Sequence, residues 1–223
     1  MNTVVSYRWG TCGDFIRLLL LSGHPEIKNV IVNDSDIALT NIDDLTFTAH
    51  LFRQGKVHIS KYINRTNNFS QDVNFDLDKI NIRPVIFSGH YHIWILSQKQ
   101  YDWPSTKQYF DNWLKDKKID FIVFIKCSTE KSYRISLIND WYKNLGKEKL
   151  EDKLKRELET TRKHSKDEIE FYNNYDALVL ELEDIYNKEY LMNELKKVKW
   201  WNSKYFDSIY DVYMSHQPNE IND

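Results

Sequence analysis

Cysteine is scarce: Cys12 and Cys127 are the two in a chain of 223 residues. That is too few for a disulfide framework or a four-cysteine zinc site. Long hydrophobic runs are lacking too. The longest early one, Phe15 to Leu21, falls far short of the roughly 20 apolar residues a membrane-crossing helix needs, and Arg17 interrupts it. No charged N-terminal region followed by a cleavable apolar stretch opens the chain, so the cytoplasm is the expected compartment. There is no basic surplus: 31 Lys and Arg stand against 33 Asp and Glu, which argues against a dedicated nucleic-acid binder. Internal repeats are absent. What is present is 41% hydrophobic and 29% charged residues, a globular composition, and this length predicts one domain over residues 1–223. Abundant Asn, Ile, Lys and Tyr point to an AT-rich genome; were the source a virus, the compartment would be the host cytoplasm.

The clearest local signal lies at the start. Thr3 to Tyr7 is a β-branched and aromatic run that reads as a strand. Arg8 to Asp14 breaks it with two glycines. Phe15, Leu18 and Leu19 then recur at helical spacing until Gly23 and Pro25 stop the helix. Val30 to Val32 reads as a short strand. The polar stretch 33–81 predicts an irregular insertion of loops with a short helix or two. Order returns with a strand at Arg83 to Phe87, followed by the turn Ser88-Gly89-His90-Tyr91-His92. Pro104 to Leu114 reads as a helix with an apolar face of Tyr109, Phe110, Trp113 and Leu114.

Asp120 to Ile125 is a continuous apolar run, the mark of a strand covered on both faces. A helix from about Glu130 to Lys143 follows, with Tyr133, Leu137, Ile138 and Trp141 as its buried stripe. Residues 147–170 predict a charged, solvent-washed helix with i,i+4 pairs such as Glu151 with Lys155. Ala177 to Leu182 reads as a strand, Lys188 to Lys197 as a helix, and the aromatic stretch 200–215 as a C-terminal helix packed on the body. Strands alternating with helices predict an α/β fold of three layers, a central, mostly parallel sheet flanked by helices.

Three turns at strand ends carry residues suited to chemistry. In the first, Gly10 and Gly13 permit close backbone approach, the helix that follows aims unpaired N–H groups at the turn, Thr11 adds a hydroxyl, and Arg8 adds a guanidinium. Those are the parts of an oxyanion site, although Asp14 would repel a phosphate unless it points away. The Walker pattern is missing, since no lysine follows Gly13. A turn that only reverses the chain is the alternative. In the second turn, His90 or His92 would face the first, because ligands of open parallel sheets sit beyond the carboxyl ends of the strands. An imidazole there could take a proton from an attacking hydroxyl; a purely local hydrogen bond is the alternative. In the third turn, Lys126 could hold a second phosphate with help from Arg134 or Ser136, while Ser128 or Thr129 caps the helix. Ordinary capping beside a solvated lysine is the alternative. Glu181-Leu182-Glu183-Asp184 is acidic enough for a metal ion but reads better as a strand end and helix cap. Trp200, Trp201 and the tyrosines of the tail read as packing rather than a base-stacking platform.

The order of these pieces resembles the sulfotransferase family, P-loop-like enzymes that use 3′-phosphoadenosine 5′-phosphosulfate. Arg8-Trp9-Gly10-Thr11-Cys12 stands where that family has a Lys/Arg-x-Gly-Thr-Thr/Ser loop between strand and helix. Ser88-Gly89-His90 is similar to its catalytic-base segment. Phe121 to Ile125, then Lys126, Arg134 and Ser136, resembles its second phosphate motif, and Leu182-Glu183-Asp184-Ile185 resembles its Tyr-Glu-Asp-Leu segment. Cys12, Gly13 and Asp14 depart from the family pattern, and its C-terminal Arg-Lys-Gly segment is missing.

The resemblance implies a metal-free transfer of sulfonate from the nucleotide to an acceptor hydroxyl or amine on a carbohydrate, small molecule or protein. Arg8, Trp9, Gly10, Thr11, Cys12, Gly13 and Asp14 would line the donor site, Arg8 would also stabilise developing charge, and His90 would deprotonate the acceptor. Lys126, Arg134 and Ser136 would hold the 3′-phosphate, and the 33–81 segment would recognise the acceptor. Two rivals remain: a non-catalytic interaction or accessory viral protein on the same fold, and a different P-loop phosphotransferase.

Overall fold

The computed structural model describes residues 3–7, 11–42, 46–52, 56–61, 86–88, 103–116, 118–139, 151–152, 155–156 and 170–217. For residues 41, 46–47, 50, 52, 56–61, 86–88, 103–106, 109 and 137 it describes the backbone alone. Eight strands lie within these residues: β1 (Thr3–Ser6), β2 (Ile27–Val32), β3 (Asp36–Asn41), β4 (Thr46–Phe52), β5 (Lys56–Lys61), β6 (Ile86–Ser88), β7 (Phe121–Lys126) and β8 (Leu178–Glu181). The helices are α1 (Gly13–Ser22), α2 (Trp103–Asp116), α3 (Glu130–Asn139), α4 (Lys188–Leu195) and α5 (Phe206–Ser215), with 3-10 turns at Leu182–Tyr186 and Ser203–Tyr205.

β1, β6, β7 and β8 form a wholly parallel sheet in the order β6-β1-β7-β8. Successive residues point to opposite faces of a strand, and the core divides accordingly. Val5, Val123, Ile125, Leu178 and Leu180 join the side carrying α1, α3, α4 and α5. Val4, Ile122 and Phe124 join the other, with Phe110 of α2 and the pair Phe171 and Tyr172. An α/β fold with a parallel sheet flanked by helices follows. The apolar run of β7 is continuous because both of its faces are covered.

Residues 33–61 depart from expectation. In place of loops and short helices, β2-β3-β4-β5 form an antiparallel meander. One face buries Ile37, Leu39, Ala49 and Leu51 in the same core as α1. On β3 and much of β4 the alternate positions, Asp36, Ala38, Thr40, Thr46, Thr48 and His50, are polar or small, so these strands look hydrophilic on average although their period is two. Residues 62–81 lie outside the described residues, as does most of 147–170, where residues 151–152, 155–156 and 170 are helical.

On α3, Tyr133 and Ile138 are buried as expected, joined by Ile135. The side chains of Leu137 and Trp141 are outside the description. The C-terminal aromatics pack inward: Tyr213 stacks on Phe15 with ring centroids 3.6 Å apart, and the Trp201 indole N–H donates to the Leu19 carbonyl at 2.7 Å. A Cβ on Gly23 would collide with that indole, so α1 ends on a glycine for reasons of packing as well as turn geometry. No helix among the described residues is long and apolar enough to cross a membrane.

Candidate functional site

The parallel sheet changes direction at β1. The chain passes from β1 to β6 on one side, then crosses to β7 on the other and continues to β8. In open parallel sheets ligands sit beyond the carboxyl ends of the strands. Here the neighbouring strands β1 and β7 lead, through the turns that follow them, to α1 and α3, which pack on the same face of the sheet.

At the first turn, Thr11 is fully buried and Cys12 takes the N-cap position of α1 in a left-handed conformation, φ 61° and ψ 21°. The Cys12 carbonyl accepts the Ile16 N–H at 3.1 Å, but its side chain makes no capping hydrogen bond. Gly13 is required by contact with the protein: a Cβ there would fall on the Tyr7 ring. Asp14, the residue expected to repel an anion, is held aside. Its Oδ1 accepts from the Tyr7 hydroxyl at 3.0 Å and from Nη1 of Arg17 at 2.6 Å. Arg8, Trp9 and Gly10 lie outside the described residues, as do His90 and His92. β6 ends at Ser88, whose register partner is Val5 of β1.

Behind the turn, the Cys12 Sγ lies 3.1 Å from the Tyr186 hydroxyl. The Asn139 amide donates to that hydroxyl at 2.8 Å and to the sulfur at 3.5 Å. Burial pushes the phenols of Tyr186 and Tyr213 well above their ordinary range. Both therefore remain neutral at physiological pH and neither serves as a base.

The turn from β7 to α3 has its anion built in. Glu181, at the end of β8 and buried, reaches across to the start of α3. Its Oε1 accepts from the Ser128 N–H at 2.9 Å and the Ser132 hydroxyl at 2.6 Å. Its Oε2 accepts from the Ser128 hydroxyl at 2.5 Å. Lys126 Nζ stands 3.5 Å from Oε2. Thr129 caps α3 as expected, its Oγ1 accepting the Ser132 N–H at 3.0 Å. A carboxylate with three hydrogen bonds and a cation fills the place where a phosphate was expected. Arg134 is also engaged, 2.7 Å from the Glu151 carboxylate, and Ser136 is half-buried two residues further along.

The structure thus places Thr11, Cys12, Gly13 and Asp14 after β1 and Lys126 at the end of the neighbouring β7, but turns Lys126 and Arg134 toward carboxylates of the chain. Sequence reasoning gave no site role to Arg17, Tyr7, Asn139 or Tyr186, and it weighed Glu181 as part of an acidic run, for a metal ion or, better, a strand end and cap, not as a partner of the α3 turn. Arg17 carried a usable signal, being the one charge inside an apolar helical run. Among the described side chains, no group of three or more His, Cys, Asp or Glu is gathered to hold a metal ion. Compared with known proteins, the chain matches no family model, no curated protein and no solved structure.

Proposed function

We propose that the chain is a sulfotransferase that takes its sulfonate from 3′-phosphoadenosine 5′-phosphosulfate, with the donor's phosphosulfate end at the N-terminus of α1. The supporting observation is position: the turn before α1 stands at the sheet's switch point, its helix lacks a side-chain cap, and its one acidic residue is drawn off by Tyr7 and Arg17. Arg8 and the N–H groups of the turn stabilise charge on the transferred sulfonate and on the departing phosphate. The acceptor oxygen or nitrogen forms a bond to sulfur as the bond from sulfur to the phosphate oxygen breaks. The acceptor's proton passes to His90, two residues beyond β6. In the three-layer scaffold this corresponds to a P-loop-like, sulfotransferase-like arrangement.

The start of α3 does not fit a 3′-phosphate while Glu181 fills it. Lys126 and Arg134 would each have to leave a carboxylate to reach one. That observation favours a second reading, in which the chain keeps the scaffold for interaction with other macromolecules and has given up the donor. Titration with adenosine 3′,5′-bisphosphate separates the two. A thermal shift in wild type, lowered at least about tenfold in affinity by Arg8→Ala, supports the transferase, a bidentate guanidinium contact being worth that much. No shift at millimolar nucleotide removes it and leaves the interaction reading. Binding unaffected by Arg8→Ala removes that arginine from the site.

A further inference from the structure

β2 is an edge of the antiparallel sheet: among the described residues it pairs with β3 and with no other strand. Lys28, Asn29 and Ile31 on it, and Asn33 and Asp34 just beyond it, are exposed. Ile31, at 52%, is one of the two large hydrophobic residues left exposed among the described side chains. An apolar residue on an unpaired edge is a template for another strand.

The hairpin fixes which backbone groups face that edge. The Asn33 N–H donates to the Asp36 carbonyl at 2.8 Å, so residue 33 directs its polar groups toward β3. Direction alternates along an antiparallel strand, which turns the N–H and C=O of Val30 and Val32 to the open side. A second β2, laid antiparallel with Ile31 against its own copy, meets these groups in register. Val30 then lies opposite Val32 of the other copy, where each pair exchanges both backbone bonds. Directly opposed residues share a face, so the buried Val30 meets the half-buried Val32 on the core side. On the outer side Ile31 meets Ile31, and Asn29 meets Asn33. The same register carries Lys28 of each copy to Asp34 of the other. An edge lysine ordinarily discourages pairing, and the opposed carboxylate offsets it. Every contact is repeated by two-fold rotation, as an isologous interface requires.

We propose that two copies of this chain associate through β2, antiparallel about Ile31, and join their meanders into one continuous sheet. A single pair of short edge strands is a small interface, below about 1,200 Å², so the dimer forms in a concentration-dependent equilibrium. It involves neither the turn before α1 nor the start of α3.

Sedimentation velocity of the full chain, from about 1 to about 300 μM, follows that equilibrium. Wild type is expected to pass from monomer toward dimer over this range. Ile31→Lys sets two cations against each other at the axis and is expected to weaken association at least about tenfold. Lys28→Asp and Asp34→Lys should each weaken it, and the two together should restore it, because the pairs are reciprocal. A monomer at every concentration, a dimer indifferent to Ile31→Lys, or no restoration in the double variant overturns the proposal. Hydrogen exchange on the wild-type chain gives a readout that no folding defect disturbs. The amides of Val30 and Val32 are expected to exchange more slowly at the high concentration, and equal exchange at both concentrations overturns pairing through β2.

Discussion

Two strand-to-helix turns follow neighbouring strands of one sheet, and they solve the same electrostatic problem differently. The start of α3 receives a carboxylate from the chain itself, with Ser128, Ser132 and Lys126 closed around Glu181. The start of α1 is headed by a left-handed cysteine that offers no side-chain cap, and the nearest acid, Asp14, is tied to Tyr7 and Arg17. A helix N-terminus favours negative charge wherever it comes from. At the start of α3 the chain provides that charge and the turn is a structural joint. For the turn before α1 binding is our proposal, and each half of the comparison can be tested.

The largest effect is expected at Glu181. Replacing it with alanine leaves the half-buried Ser128 amide, two hydroxyls, that of Ser132 buried, and a lysine without their common acceptor. Breaking a buried, hydrogen-bonded ion pair from one side costs about 3–5 kcal/mol. Glu181→Gln retains part of the hydrogen bonding and should lose less. Urea denaturation measures both. If the turn is a joint built around an anion, sulfate should also raise the melting temperature of Glu181→Ala more than that of wild type. A loss below about 1 kcal/mol in the alanine variant, with no response to sulfate, would erase the distinction between the two turns.

The other end of α1 is held by side chains. α1 is held by the Trp201 indole and by the turn after Ser22, where Nδ1 of His24 accepts the Glu26 N–H at 3.2 Å and the ring packs 4.9 Å from Trp200. Burial is the main cause of the lowering of the His24 pKa, from 6.5 to about 4. The folded chain thus holds this imidazole neutral, while the unfolded chain protonates it near pH 6.5. The contribution is complete above 6.5 and is lost as pH falls toward 4. Between pH 7 and pH 5 the anchor should weaken by about 2 kcal/mol. His24→Asn should flatten that part of the stability profile. An equally steep decline in the variant would mean that the C-terminal end of α1 is held without help from a neutral histidine.

The contrast between the turns was only half legible in the sequence, for a physical reason. Local signals were readable: the strand and helix around Gly10 and Gly13, the apolar run of β7, and the Thr129 cap all depend on neighbours within a few residues. Glu181 closes on Ser128 from 53 positions away, and Cys12 meets Tyr186 from 174 away. No periodicity in a single chain reports such contacts. The meander was missed for another reason, because one-sided burial puts Asp36, Ala38, Thr40, Thr46, Thr48 and His50 at the positions alternating with the buried ones. Mean polarity resembles a loop there, and only alternation distinguishes it. Lys126 and Arg134 were chosen for charge alone; Glu181 and Glu151 beside them were visible as residues but not as partners.

The smallest effect is also the most discriminating for the open turn, because it separates backbone from thiol at Cys12. A left-handed conformation costs a residue with a Cβ roughly 1–2 kcal/mol, a penalty glycine escapes. Cys12→Gly gives up the sulfur's contacts with Tyr186 and Asn139 but releases that strain, so its stability should stay within about 1 kcal/mol of wild type. Cys12→Ala gives up the same contacts and keeps the strain, so it should fall below the glycine variant by about 1 kcal/mol. The order of the two variants carries the information: alanine more stable than glycine would mean the residue does not need φ near 61°. Should glycine lead and bisphosphate affinity also persist in it, the peptide N–H groups make the site and the thiol only packs behind them. Affinity lost in both variants would instead put the sulfur, with its tyrosine and asparagine neighbours, at the centre of whatever binds there.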